Sequence, residues 1–232
     1  MKIEVWSDFA CPFCYIGKTR FDNALNKFEH KDQVEVIYKA YLLNPSAPKV
    51  MKGTAIEAFA KGHRVTPEQA KAKFKMFVDN AKSVGLDYNY DIIQMTNTLD
   101  AHRIAKWAEQ FNKKEIVTSR FMKAYFTDGL SLADHDTLLS LVEELDLDKE
   151  SAKEVLDSNK FESDVRAEIE EGRSVGVRGV PFFVLNRKYG ISGAQQEDYF
   201  LESLKVLYKE SQSVEPLNVV QGETCDDEGC TI

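Results

Sequence analysis

No apolar run in these 232 residues approaches the roughly 18 that a membrane-spanning helix requires, so no helical membrane partner segment is expected. Basic charge is also in short supply. Thirty Lys and Arg stand against 38 Asp and Glu, a net charge of −8, and no basic stripe interleaves with aromatics, so nucleic acid is not an expected partner. The N-terminus lacks the charged, apolar and small-residue succession of a secretory leader. Met1 and Lys2 lead straight into a strand pattern, and the chain is expected to work in the cytoplasm. Serine-triad spacing, a glycine-rich phosphate loop and a two-histidine metal motif are all missing, so no cofactor or metal is expected. Histidine is scarce, and His30, His63 and His135 read as surface or helix-end residues. What remains is an ordinary globular composition, 43% hydrophobic and 29% charged, in a chain long enough for one or two domains.

Cysteine is scarce as well, at four residues, but two of the four are placed with purpose. Cys11 and Cys14 follow a short apolar strand and open a helix pattern in the run Val5-Trp6-Ser7-Asp8-Phe9-Ala10-Cys11-Pro12-Phe13-Cys14. A thiol in the first turn of a helix faces N–H groups without intrahelical partners and the positive end of the helix dipole. Both favour thiolate, which makes Cys11 the expected nucleophile. Cys14, one turn on, is placed to attack a mixed disulfide and release the product. In a reducing compartment such a pair is catalytic rather than structural.

Residues 2–6 alternate, Ile3 and Val5 against Glu4 and Trp6, as a half-buried strand does. Pro12 suits the first helical position, and Val34, Val36, Tyr38, Ala40 and Leu42 alternate through a second strand that stops at Asn44-Pro45. Strand, helix and strand at this spacing form a parallel unit. Helical stripes then run for about 130 residues, introduced by a capping box at Thr66-Pro67-Glu68-Gln69 and including Ile104, Trp107, Ala108 and Phe111. After Gly176 the strand signals return in Val180-Pro181-Phe182-Phe183-Val184-Leu185, then Tyr189-Gly190-Ile191, before a closing helix. The order is βαβ, a helical insertion, then ββα. This predicts an α/β protein with a thioredoxin-like domain in residues 1–45 and 177–210, an all-helical insertion in 46–176 and a flexible tail in 211–232.

A strand, a two-residue-spaced dithiol and a helix at the start of βαβ form the thioredoxin-like redox signature. In that setting Val180-Pro181, at the returning strand, is expected to hold a cis peptide bond. The backbone of Val180 would then be open to pair with an extended substrate beside the nucleophile. Taken together, Ser7-Asp8-Phe9, the dithiol, Asn44-Pro45, Asn97-Thr98, Ala101-His102-Arg103, Gly179-Val180-Pro181-Phe182-Phe183 and Ser192-Gly193-Ala194-Gln195 resemble the DsbA-type thioredoxin-fold oxidoreductases, in particular the FrnE subfamily. The resemblance spans nearly the whole chain. It implies a thioredoxin-like fold interrupted by an all-helical domain, Cys11 as attacking thiolate, Cys14 as resolving thiol and Val180-Pro181 as a cis bond and substrate-binding element. It also implies partners that carry disulfides or thiols, either proteins or glutathione.

Kappa-class glutathione transferases and 2-hydroxychromene-2-carboxylate isomerases are similar in architecture but usually carry serine where this chain has Cys11. A glutathione-dependent transferase or isomerase is therefore one alternative, and a non-catalytic DsbA-like adaptor another. Having both Cys11 and Cys14 favours dithiol chemistry, because a transferase needs no resolving thiol. Phe13 offers no charge or imidazole beside the nucleophile, so a couple less oxidising than that of the periplasmic oxidants is expected. Cys225 and Cys230 enclose Asp226-Asp227-Glu228-Gly229. They are incidental thiols, a second redox pair of the kind some FrnE-like proteins carry, or ligands for a zinc ion shared with the first pair. His102 lies in a segment the family shares and is taken as a packing residue rather than an acid–base group.

Overall fold

The structure, a computed structural model, describes residues 1–212 and, beyond them, the backbone of two short strands. The chain opens with β1 (Lys2–Ser7), α1 (Pro12–Lys27) and β2 (Glu35–Ala40), and β1 and β2 pair in parallel with Ile3 opposite Val36 and Val5 opposite Tyr38. It then passes through α2 (Ala55–His63), α3 (Pro67–Lys82), α4 (Leu99–Ala108), α5 (Lys114–Phe126), α6 (His135–Glu144), α7 (Lys149–Leu156) and α8 (Glu162–Ser174). It returns as β3 (Phe182–Leu185), β4 (Tyr189–Ser192) and α9 (Glu197–Gln212). The sheet order is β2-β1-β3-β4, with β3 antiparallel to both its neighbours. This is a thioredoxin-like fold with a helical insertion between β2 and β3.

The cap ahead of α3 is the one the sequence suggests, and α2 has one of the same kind. Thr66 and Gln69 exchange side-chain and backbone hydrogen bonds ahead of α3, with Pro67 in the first turn, and Thr54 and Glu57 do the same for α2. Helix α9 closes one face of the sheet together with α1. Ile3, Val5, Phe21, Phe183, Phe200 and Leu204 form that core.

The alternation in β1 misleads. Glu4 and Trp6 are as buried as Ile3 and Val5, because α8 comes back to cover the second face of the sheet. Trp6 Nε1 donates to the Glu168 carbonyl at 2.8 Å. Gly172 lets α8 approach this closely, since a Cβ there would meet Trp6 Nε1 at 2.5 Å. Glu4 tolerates burial because Lys39 and Arg187 converge on its carboxylate. A second correction concerns Phe111. It follows α4 in a 3₁₀ turn and is 47% exposed rather than part of the buried stripe.

The largest apolar core belongs to the insertion, with Phe74, Phe77, Ile104, Trp107, Phe121 and Phe126 among its members. The same cluster takes in Phe9, Cys11, Cys14 and Ile16. The dithiol therefore sits in the seam where the sheet's upper end meets the helical insertion.

Candidate active site

Cys11 occupies the N-cap of α1 with φ −90° and ψ 113°, and Pro12 takes the first helical position. Proline at that place sacrifices no hydrogen bond, since the first helical N–H groups have no intrahelical partners. The turn leading into it is tight. Cys11 N donates to the Asp8 carbonyl at 3.1 Å and Cys14 N to the Cys11 carbonyl at 3.0 Å. No acidic residue lies in the first turn of α1, so the helix's own first turn carries no negative charge against the positive end of its dipole.

Cys11 and Cys14 are both free thiols, 4% and 1% exposed. Burial pushes the Cys14 thiol well above its ordinary range, and the neighbouring Cys11 sulfur adds to the effect. The Ser7 hydroxyl and the Asp8 main chain act against it.

Across the seam, the Val180–Pro181 peptide bond is cis, as the sequence suggests. The Cys11 thiol donates to the Val180 carbonyl at 3.5 Å. Gly193 N anchors the same loop by donating to the Pro181 carbonyl at 2.8 Å. Helix α1 comes close enough for this only because residue 17 is glycine. A Cβ there would lie 3.0 Å from Pro181 Cγ and 3.2 Å from Ala194 Cβ.

The insertion supplies the other wall. Tyr88 Oη donates to the Pro12 carbonyl at 2.7 Å and its ring stacks on Phe126 at 4.4 Å. Phe13 meets Phe77 edge to face at 5.4 Å. Burial raises the Tyr88 and Tyr90 phenols far above their ordinary range, so both stay neutral beside the thiols.

Beneath the dithiol lies Asp8, a buried carboxylate within the Ser7-Asp8-Phe9 segment whose role no local sequence pattern announces. Thr98 Oγ1 and Leu43 N each donate to it at 2.7 Å. His102 Nε2 stands 3.5 Å away, and the His102 ring packs on Phe9 with centroids 4.5 Å apart. Burial alone would raise the Asp8 carboxyl, but His102 and the donors from Leu43 and Thr98 hold it below its ordinary value. The shared segments Ser7-Asp8-Phe9 and Ala101-His102-Arg103 thus meet in space, 94 positions separating Asp8 from His102.

The structure brings Cys11, Cys14, Val180 and Pro181 together. Cys225 and Cys230 have no described place relative to them. These lie in β5 (Thr224–Asp226) and β6 (Gly229–Thr231), an antiparallel pair in which they stand opposite one another, and their side chains fall outside the described residues. Among the described residues no group of three His, Cys, Asp or Glu side chains could hold a metal ion.

The family model for the DSBA-like thioredoxin domain matches residues 2–205. The crystal structure of a probable DsbA oxidoreductase, SCO1869 from Streptomyces coelicolor, is 34% identical with a TM-score of 0.87, covering 100% of this chain and 99% of that one. YwbO of Bacillus subtilis is 26% identical over 210 residues, 88% of this chain and 96% of its own length. The cytosolic disulfide reductase DsbM of Pseudomonas aeruginosa shares the fold at 16% identity, with a TM-score of 0.63 and coverage of 90% and 100%.

Proposed function

The chain belongs to the DSBA-like thioredoxin family, and from that membership we propose that it is a thiol–disulfide oxidoreductase working through the Cys11-Pro12-Phe13-Cys14 dithiol. The observation that carries this reading is the meeting of the Cys11 thiol, at the N-cap of α1, with the Val180 carbonyl of the facing loop. A substrate strand laid along Val180 would present its sulfur to Cys11.

The reaction has two displacements. The Cys11 thiolate attacks one sulfur of a substrate disulfide, forming a Cys11–substrate bond and expelling the other sulfur as thiolate. The Cys14 thiolate then attacks Cys11 Sγ, forms the Cys11–Cys14 disulfide and expels the second substrate thiolate. The substrate gains two electrons and the dithiol loses two. Two thiols such as glutathione close the cycle by the reverse exchange: the first forms a mixed disulfide with Cys11, and the second displaces Cys11 from it and leaves as glutathione disulfide. Phe13 gives the sulfurs no charge or hydrogen-bond donor, which fits a couple poised for reduction or isomerisation rather than one-way oxidation.

Substrates on this reading are protein or small-molecule disulfides in the cytoplasm, where DsbM also works. Among the described residues no helix is long and apolar enough to cross a membrane. The thioredoxin-like part would comprise residues 1–45 and 177–210 and the helical part 46–176, with α8 also covering the sheet. Cys225 and Cys230 are proposed as a second redox pair.

The test is insulin reduction with glutathione as electron donor, together with the equilibrium of the Cys11–Cys14 couple against glutathione. Turnover that is lost in both Cys11→Ser and Cys14→Ser supports a dithiol enzyme. Glutathione transfer to an electrophile that survives Cys14→Ser would support a transferase, and binding without turnover an adaptor.

A further inference from the structure

The helical insertion carries an open groove of about 300 Å³, a volume at the lower end of ligand pockets. Its apolar lining is Ile56, Phe74, Val78, Tyr88 and Tyr90, with the Phe74 and Tyr90 rings stacked at 4.1 Å. Two contacts fix the groove beside the active-site loop. Tyr88 donates to the Pro12 carbonyl at 2.7 Å, and Phe13 meets Phe77, whose ring lies 5.9 Å from Tyr90. Ile92, which follows the lining residue Asp91, is a further large apolar side chain left 43% exposed.

Lys71, Lys75 and Asp91 are the charged groups on the groove. Asp79 holds Lys75 at 2.6 Å, whereas Lys71 and Asp91 are in no ion pair among the described residues. Glu68, three positions before Lys71 on α3, is drawn to its charge but does not come within ion-pair distance. Lys71 is therefore the cation on this groove left to meet a ligand.

Resting on the oxidoreductase reading, we propose that the groove is a specificity subsite for an extended polypeptide substrate. It holds an aromatic or branched aliphatic side chain, and an acidic neighbour of that side chain meets Lys71. An extended chain advances about 3.3–3.6 Å per residue, so the side chain belongs to a residue about two to four positions from the cysteine that Cys11 attacks. Glutathione offers carboxylates and an ammonium but no side chain to cover the Phe74 and Tyr90 rings. The substrate class is thus protein disulfides set in apolar, acid-flanked sequence, rather than glutathione disulfide.

The test mixes reduced full-length protein with peptides that each carry one cysteine joined to nitrothiobenzoate. Each has phenylalanine or glycine two, three or four positions from the cysteine, on either side. Attack of Cys11 on the peptide sulfur forms the mixed disulfide and releases nitrothiobenzoate, so the second-order rate of release reads recognition of the peptide. At one spacing, phenylalanine should raise the rate about tenfold or more over glycine. An aspartate on one side of that phenylalanine should add about threefold. Val78→Glu sets a charge on the apolar lining and should bring the phenylalanine-to-glycine ratio near one. Lys71→Glu, at an exposed position, should abolish the aspartate gain, and it keeps the test available if Val78→Glu does not fold. Each readout is a ratio within one protein, so a general loss of Cys11 reactivity does not imitate it. A parent ratio near one at every spacing, a ratio that survives Val78→Glu, or an aspartate gain that is absent from the parent or survives Lys71→Glu overturns the subsite. A parent that releases no nitrothiobenzoate from any peptide defeats the oxidoreductase reading instead.

Discussion

The thiol of Cys11 lies 3.5 Å from the carbonyl oxygen of Val180, a residue 169 positions further along the chain. The contact follows from the sheet. β1 and β3 are antiparallel neighbours with Trp6 opposite Phe182, so the segment leaving β1 and the segment entering β3 emerge side by side. Cys14 has no such position at the mouth. It is 1% exposed and its thiol is raised by burial and by Cys11.

From this asymmetry, iodoacetamide at neutral pH should label Cys11 at least about tenfold faster than Cys14, because the thiolate is the species that reacts. Cys11→Ser should abolish disulfide reduction, and Cys14→Ser should accumulate mixed disulfides visible by mass spectrometry. Equal labelling rates, or reduction that persists without Cys11, would rule the assignment out.

Gly17 holds the two halves of the site in register. Gly17→Ala gains up to about 1 kcal/mol of helix propensity. Against that, the new methyl meets Pro181 Cγ at 3.0 Å and Ala194 at 3.2 Å, groups too rigid to yield, and overpacking of this kind costs about 1–3 kcal/mol. The net expectation is a loss of about 1 kcal/mol in urea unfolding and slower Cys11 alkylation as α1 shifts from Val180. Gly17→Val should be worse on both counts. A more stable Gly17→Ala variant with unchanged thiol reactivity would contradict the close packing.

The dithiol, the proline opposite it and the order of elements were legible in the sequence because each is local. A two-residue cysteine spacing, an X–Pro at a strand start and the change from period 2 to period 3.6 need no knowledge of distant partners. The burial of Glu4 and Trp6 was not legible, because it depends on α8 returning over the sheet and on Arg187, whose pairing with Glu4 no local pattern announces. Tyr88 was missed for the same reason. Nothing around it marks the hydroxyl as the partner of the Pro12 carbonyl, 76 positions earlier. For Asp8 and His102, the shared segments gave a signal without a reason, and their contact supplies one.

Glu168 ties α8 to α4, α5 and the end of β2 and should carry part of the acid sensitivity of the fold. Burial alone would raise its carboxyl, but Lys114, Lys106 and the Ala40 N–H more than offset this and hold it below the ordinary glutamate value. A carboxyl depressed in the folded state gives stability that is present above its unfolded value and lost as pH falls through the folded one. Glu168→Gln should therefore be less stable than the parent at pH 7 by about 2 kcal/mol. That is below the usual cost of breaking a buried pair, because Lys106 and Lys114 both keep Glu109. The gap should narrow as pH drops below about 4.3, where Glu168 of the unfolded chain takes up a proton, and go on narrowing as pH falls through the lower folded value. Thermal melts of both proteins across that range check the sign, and a constant gap would contradict it.

The tail cysteines set the last expectation. Cys225 and Cys230 stand opposite one another in the β5–β6 pair. Opposed residues of antiparallel strands have Cα atoms about 4.5–5.5 Å apart, inside the range a disulfide spans. Mild oxidation should join them. Whether they serve the active site is a matter of reach. Helix α9 starts near the dithiol, where the Ala194 carbonyl takes Arg20 Nη1, and runs away from it to Tyr208, stacked on His30, and to Glu210, paired with Lys188 at the β3–β4 turn. It thus delivers the chain to the end of the sheet opposite Cys11, about 24 Å away by the length of α1. The link 213–224 extends to at most about 40 Å, so the second pair can return to the first within one molecule. Truncation after Gln212 should keep the described core, whose last members are Leu207 and Tyr208, yet slow re-reduction or re-oxidation of Cys11–Cys14. Stopped-flow thiol exchange on the full chain, the truncation and the Cys225→Ser/Cys230→Ser double variant measures this directly. Slowing in the last two to the same extent assigns the effect to the thiols, and identical rates in all three leave them passengers.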